Sequence, residues 1–170
     1  TLFLTWEWQS VWWQSLGAGQ LCVITVREDD GTLIGIAPLF QETSVDGTTQ
    51  SVSLIGCVDV SDYLDLIVAR ESEERVYAAV LDSLASADFP AWEGGLHLCT
   101  LPEGSPTNTQ FKTMGEARGW KTEWRRHAVA PVIDLPDTWD AYLETLDKKQ
   151  RHEVRRKLRG RAGGSFIRQP

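Results

Sequence analysis

The sequence predicts an α/β domain: a mixed, mostly antiparallel central sheet flanked by helices and followed by a basic connector helix. Three observations predict it. Two apolar, β-branched runs, Leu21 to Val26 and Leu33 to Phe40, flank Asp29-Asp30-Gly31, and a glycine-containing connection of that length signals a hairpin. Strand-like and helix-like patterns then arrive in alternation to cover that pair. Finally, the stretch Asp147 to Arg159, DKKQRHEVRRKLR, sets its cations at helical spacing.

The elements follow in order. Thr5 can cap a first helix whose Trp8, Trp12 and Leu16 recur at i, i+4, i+8, with Trp6 and Trp13 on the flank and Gly17 or Gly19 at its end. Packing of those indoles on the sheet is one reading. The other, an aromatic platform for a ligand, requires an indole exposed at a cleft. In the second hairpin arm Pro38 cannot donate to a ladder, so the strand bulges there or turns its nitrogen away. After an Asp46-Gly47 turn come strands at Ser51 to Ile55 and Ser61 to Val68. Alternation in the latter sets Leu64, Leu66 and Val68 on one face and Tyr63, Asp65 and Ile67 on the other, so Asp65 needs a partner if buried.

Ser72 with Glu73 and Glu74 opens a helix whose stripe is Val76, Val80 and Leu84, flanked by Tyr77 and Leu81. A strand at Gly95 to Leu101, a helix about Asn108 to Arg118, and short strands at Trp120 to Arg126 and Val129 to Leu135 come next. Pro136-Asp137-Thr138 starts another helix with Trp139, Tyr142, Leu143 and Leu146 on one face. The basic segment continues from it.

At 170 residues, 42% hydrophobic and 24% charged, the chain has ordinary globular composition and room for one core. No run approaches the ~18 apolar residues of a membrane span, so no transmembrane segment is expected. Cys22, Cys57 and Cys99 are odd in number and widely spaced, which predicts reduced, buried thiols and a cytoplasmic protein, one that could work at the inner face of the membrane. Charge is uneven. From Asp147 onward nine cations face two acids, +7, which leaves −14 for the rest of a chain whose net charge is −7.

This order of elements resembles a GNAT acyltransferase domain. More particularly, FLTWEWQSVWW at Phe3 to Trp13, LIGIAPLF at Leu33 to Phe40, SDYLDLIV at Ser61 to Val68 and the basic segment resemble the N-terminal half of FemAB-like, CelD-type (cellulose biosynthesis) acetyltransferases. The resemblance implies two GNAT-like domains in tandem: an N-terminal domain over 1–135, a helical connector over 136–162, and the start of a second domain at 163–170, where Ser165 to Ile167 would begin a strand. It implies a fragment, inactive by itself, of an enzyme moving an acyl group from acetyl-CoA or another acyl-CoA to an envelope or exopolysaccharide-related acceptor. GNAT domains hold the coenzyme's pyrophosphate on a glycine-bearing loop before a helix, where free amides meet the anion. Here that junction reads VARESEERV, Val68 to Val76, without glycine and with Glu71, Glu73 and Glu74 against Arg70 and Arg75. The resemblance therefore implies no cofactor-binding residue in this half, with acyl-CoA bound by the C-terminal GNAT-like domain of the same protein.

No catalytic residue can be named from the sequence. Asp59, Asp62 and Asp65 are close, but lack the glycine and distal glutamate of a calcium loop, and no metal is expected. Asp62 and Tyr63, with Asp65, are candidates for lining an acceptor cleft; a capped turn and a buried tyrosine are the alternative. His97, His127 and His152 have no partner at ligand spacing, and Gly104-Ser105-Pro106 is not a nucleophile elbow. On the basic helix Lys149, Arg151, Arg155 and Arg156 are candidate contacts to an anionic envelope or polysaccharide precursor. The stripe also reads as a solvated connector, or as a non-enzymatic module docking nucleic acid or an anionic membrane surface through 148–161. Nucleic acid is not the expected partner, since a body at −14 repels phosphates.

Overall fold

The computed structural model describes residues 1–57, 60–129 and 131–161. Asp59 and the region 163–170, including the strand expected at Ser165 to Ile167, lie outside the described residues. The architecture is mixed α/β, with helices and two mostly antiparallel sheets. The chain divides into two compact units, Thr1–His127 and Ala128–Pro170.

The predicted hairpin forms, but it serves both sheets. Strands β1 (Gln20–Leu21) and β2 (Ile24–Arg27) make one arm, β3 (Leu33–Ala37) and β4 (Leu39–Thr43) the other. Gly31 turns the chain at φ 88, a conformation glycine adopts without steric cost, and the Asp30 carboxylate accepts from the Thr32 amide at 2.8 Å. Ile24 pairs with Ala37 and Val26 with Gly35, while Leu21 pairs with Phe40. Pro38 sits at the break between β3 and β4. Its nitrogen cannot donate, yet its carbonyl accepts from the Ile55 amide at 2.8 Å, so the kink keeps its acceptor satisfied. One sheet therefore runs β2-β3-β6 and the other β1-β4-β5-β7, where β5 is Gln50–Leu54, β6 Ile67–Val68 and β7 Leu96–His97. The single expected sheet is split at the proline.

Helix α1 (Trp6–Leu16) starts where the cap residue predicts, Thr5 accepting from the Trp8 amide, and ends at Gly17. Trp12 is buried against Phe40 and Ile55. Trp6, however, is 80% exposed. Helix α2 (Glu73–Ala85) buries all five residues of its predicted stripe, Val76, Tyr77, Val80, Leu81 and Leu84. They meet Ala37, Leu39, Val52, Leu54, Leu64 and Leu66 in the main core. Each aliphatic side chain so buried contributes roughly 1.5–3 kcal/mol. Gly35 is what lets α2 come this close, because a Cβ there would overlap the Val76 methyls.

Three expectations need correction. Strand structure in Ser61 to Val68 and in Gly95 to Leu101 is confined to β6 and β7; the rest is irregular, with a turn at Cys99 and Thr100 (Thr100 at φ 52), and the two segments are joined by the Leu64 amide donating to the Thr100 carbonyl at 3.2 Å. The strands expected at Trp120 to Arg126 and Val129 to Leu135 are not formed among the described residues. Pro131 brings no amide to a ladder there, and Val129, Val132, Ile133 and Leu135 are exposed rather than pressed on a sheet. Cys57 and Cys99 form a disulfide across a sequence separation of 42, whereas Cys22 alone is free and buried, as expected of all three. Parallel pairing of β5 with β7 brings the segments after both strands side by side, a juxtaposition that spacing does not reveal.

The helix expected near Asn108 appears as a π-helical turn, Thr107–Phe111, running into α3 (Lys112–Ala117). In the second unit α4 (Trp139–Thr145) is capped by Thr138, and α5 (Lys148–Arg161) carries the basic residues. No helix among the described residues is long and apolar enough to cross a membrane.

Candidate functional site

The segment Ser61 to Leu66 gathers the predicted site residues of the first unit. Its alternation holds: Leu64 and Leu66 are buried, while Tyr63 is 39% exposed and Asp65 half-buried. Asp65 obtains the partners its burial demands. One carboxylate oxygen accepts from the Ser105 hydroxyl at 2.6 Å, and the other from the Thr107 hydroxyl at 2.6 Å and the Leu66 amide at 2.9 Å. The Thr107 hydroxyl is also within 3.2 Å of the Tyr77 hydroxyl, whose titration burial pushes upward. A carboxylate with three donors is tied into the fold, so Asp65 joins the extended segment to the turn leading into α3.

Asp62 and Tyr63 instead face outward. The Tyr63 ring lies 6.4 Å from that of Phe3, and Phe3 meets Trp8 edge to face at 5.0 Å. The Trp8 indole N–H donates to the Ser61 hydroxyl at 3.1 Å, which anchors the start of the segment to α1. The result is an aromatic cluster of Trp8, Phe3 and the exposed Tyr63, with Asp62 exposed at the preceding position in the chain. A surface depression of ≈ 250 Å³ lies elsewhere, at Leu21, Cys22, Val23, Phe89 and Pro90, and contains none of the predicted site residues. Burial raises the Cys22 thiol above its ordinary range.

At the entrance to α2, Glu71 holds a left-handed conformation, φ 65, in a turn closed by the Ser72 amide on the Ala69 carbonyl at 3.1 Å. Ser72 caps no first-turn amide; its hydroxyl accepts from the Arg75 guanidinium at 3.4 Å. Arg75 forms an ion pair with Glu28 at 2.6 Å, and Glu73 and Glu74 occupy the first turn. Glu28, on the hairpin, is a participant that the sequence did not reveal, since 47 residues separate it from Arg75.

The basic helix divides its candidates. The Arg151 guanidinium donates to the Leu146 carbonyl at 2.9 Å and reaches the Glu144 carbonyl at 3.4 Å, closing the end of α4. Arg156 pairs with Glu153 at 2.6 Å, with Lys157 on the same carboxylate at 3.6 Å, and this holds Glu153 well below the usual range, at about 2. Lys149 and Arg155 are exposed and have no carboxylate partner among the described residues. His97 and His152 are exposed, as is His127. Ser105, buried and committed to Asp65, has no attacking role in this arrangement.

No family model, no curated protein and no solved structure matches the chain.

Proposed function

We propose that this chain is the N-terminal domain of a two-domain, FemAB-like and CelD-type GNAT acyltransferase, and that it has no turnover alone. The complete enzyme would transfer an acyl group from acetyl-CoA or another acyl-CoA to a nitrogen or oxygen of an envelope or exopolysaccharide-related acceptor. One observation carries the assignment of labour between the domains. At the entrance to α2, where a GNAT loop would receive the coenzyme's diphosphate, Glu73 and Glu74 occupy the first turn and Arg75 is taken by Glu28. Anions are disfavoured there by their own kind of charge. The coenzyme would thus bind the second GNAT-like domain, on the cytoplasmic side where acyl-CoA is available. The surface of Tyr63, Phe3 and Asp62 suits an acceptor that offers sugar-ring C–H faces and hydroxyls.

Two experiments test this. Titration of acetyl-CoA into the 170-residue chain by calorimetry is expected to give no saturable heat; stoichiometric binding would count against the assignment. In the two-domain protein, Asp62→Ala and Tyr63→Ala are expected to raise KM for the acceptor about tenfold while leaving KM for acyl-CoA unchanged. Equal loss against both substrates would remove these residues from the acceptor side.

A further inference from the structure

Two features of the second unit have no use in the reading above. Its irregular stretch carries exposed aliphatics, Val132 at 84%, Ile133 at 65% and Leu135 at 75%, followed by Trp139 at the start of α4. On α5, once Arg151 is committed to backbone carbonyls and Glu153 has taken Arg156 and Lys157, an exposed row remains: Lys148, His152, Arg155 and Arg159. Spaced by four, three and four residues, the row runs roughly 16 Å along one helix face. None of these side chains has a carboxylate partner among the described residues.

We propose that the unit beginning at Ala128 is a docking surface for an anionic lipid bilayer. Cations and exposed apolar groups are two separate signals, and a bilayer with acidic headgroups takes both: phosphates meet the α5 row while aliphatic and indole side chains enter the headgroup boundary. Neither signal suffices for stable adsorption, and their coincidence in one short unit is what selects this partner. Nucleic acid would use the cations but would gain nothing from Val132, Ile133 and Leu135.

Cosedimentation of the whole chain with vesicles tests the proposal, using phosphatidylcholine alone and phosphatidylcholine mixed with phosphatidylglycerol. Binding is expected to the mixed vesicles only, and to weaken as salt rises. The variant Lys148→Gln/Arg155→Gln/Arg159→Gln is expected to bind about a hundredfold more weakly. The variant Ile133→Ser/Leu135→Ser is expected to bind about tenfold more weakly. Circular dichroism of both variants must match that of the parent; all five positions changed are exposed, so retained fold is expected, and Val132→Ser serves if the double variant unfolds. Failure to bind mixed vesicles, equal binding to neutral ones, or full binding by the apolar variant overturns the proposal. So does capture by an RNA homopolymer with no vesicle binding. The outcome is independent of the acyltransferase reading, because no arm contains coenzyme or acceptor.

Discussion

Asp65 shows how a single polar side chain in an apolar strand is made tolerable. Its carboxylate accepts from Ser105, Thr107 and the Leu66 amide, so removing it takes away the acceptor shared by two buried hydroxyls, those of Ser105 and Thr107. Asp65→Ala is expected to destabilise the chain by about 2 kcal/mol in urea unfolding, the range for unsatisfied buried groups. A change within experimental error would mean that water replaces the carboxylate. The sequence required a partner for Asp65 but not which one, because Ser105 and Thr107 lie some 40 residues away. Glu153 titrates in the other direction from a buried acid. Its carboxyl is held at about 2, against an ordinary value of 4.5, chiefly by the hydrogen bond from Arg156. A depressed folded-state value means the support it gives α5 is complete above about 4.5 and lost as pH falls toward about 2. Helical ellipticity should fall across that window, and Glu153→Gln should abolish the pH dependence. An unchanged profile in the variant would show that other carboxylates govern it.

Among the elements, α2 and the hairpin were the most legible. Five apolar positions at helical spacing all became core, since a helix over a sheet buries one continuous stripe. Their closest approach is set by Gly35, and Gly35→Ala is expected to destabilise by about 1–3 kcal/mol through overlap with Val76. Adding Val76→Ala should make the glycine replacement cheaper than it is alone; strictly additive losses in a double-mutant cycle would place the strain elsewhere. Pro38 was legible as an interruption, whereas its consequence, one hairpin feeding two sheets, depends on the Ile55 amide that takes its carbonyl. The stretch 120–135 misled because alternating aliphatics promise a strand only when a partner edge is in reach. A proline within the stretch, Pro131, and solvent exposure outweigh that pattern here.

On the scale of the whole molecule, the sequence revealed the separation of charge but not the covalent tie. Cys57 and Cys99 meet because β5 and β7 run parallel, a fact of topology rather than of spacing. In denaturant without reductant one thiol per chain should react, and three after reduction. Three reactive thiols at the outset would contradict the bridge and restore the argument for reduced cysteines. Opening it should cost roughly 2–5 kcal/mol in unfolding free energy, mostly through the unfolded chain. Charge also underlies the functional proposal. Glu28, Glu73 and Glu74 surround the α2 entrance, the place where a coenzyme's diphosphate would otherwise be welcomed by free amides.

The most direct measurement follows the amide resonances of Glu73, Glu74 and Arg75 while coenzyme A is added to the chain and to its Glu28→Gln/Glu73→Gln/Glu74→Gln variant. The account predicts no saturable shift in the parent and the appearance of one in the variant, where the amides and Arg75 are released from their acidic neighbours. Saturable shifts of those amides in the parent chain would contradict it.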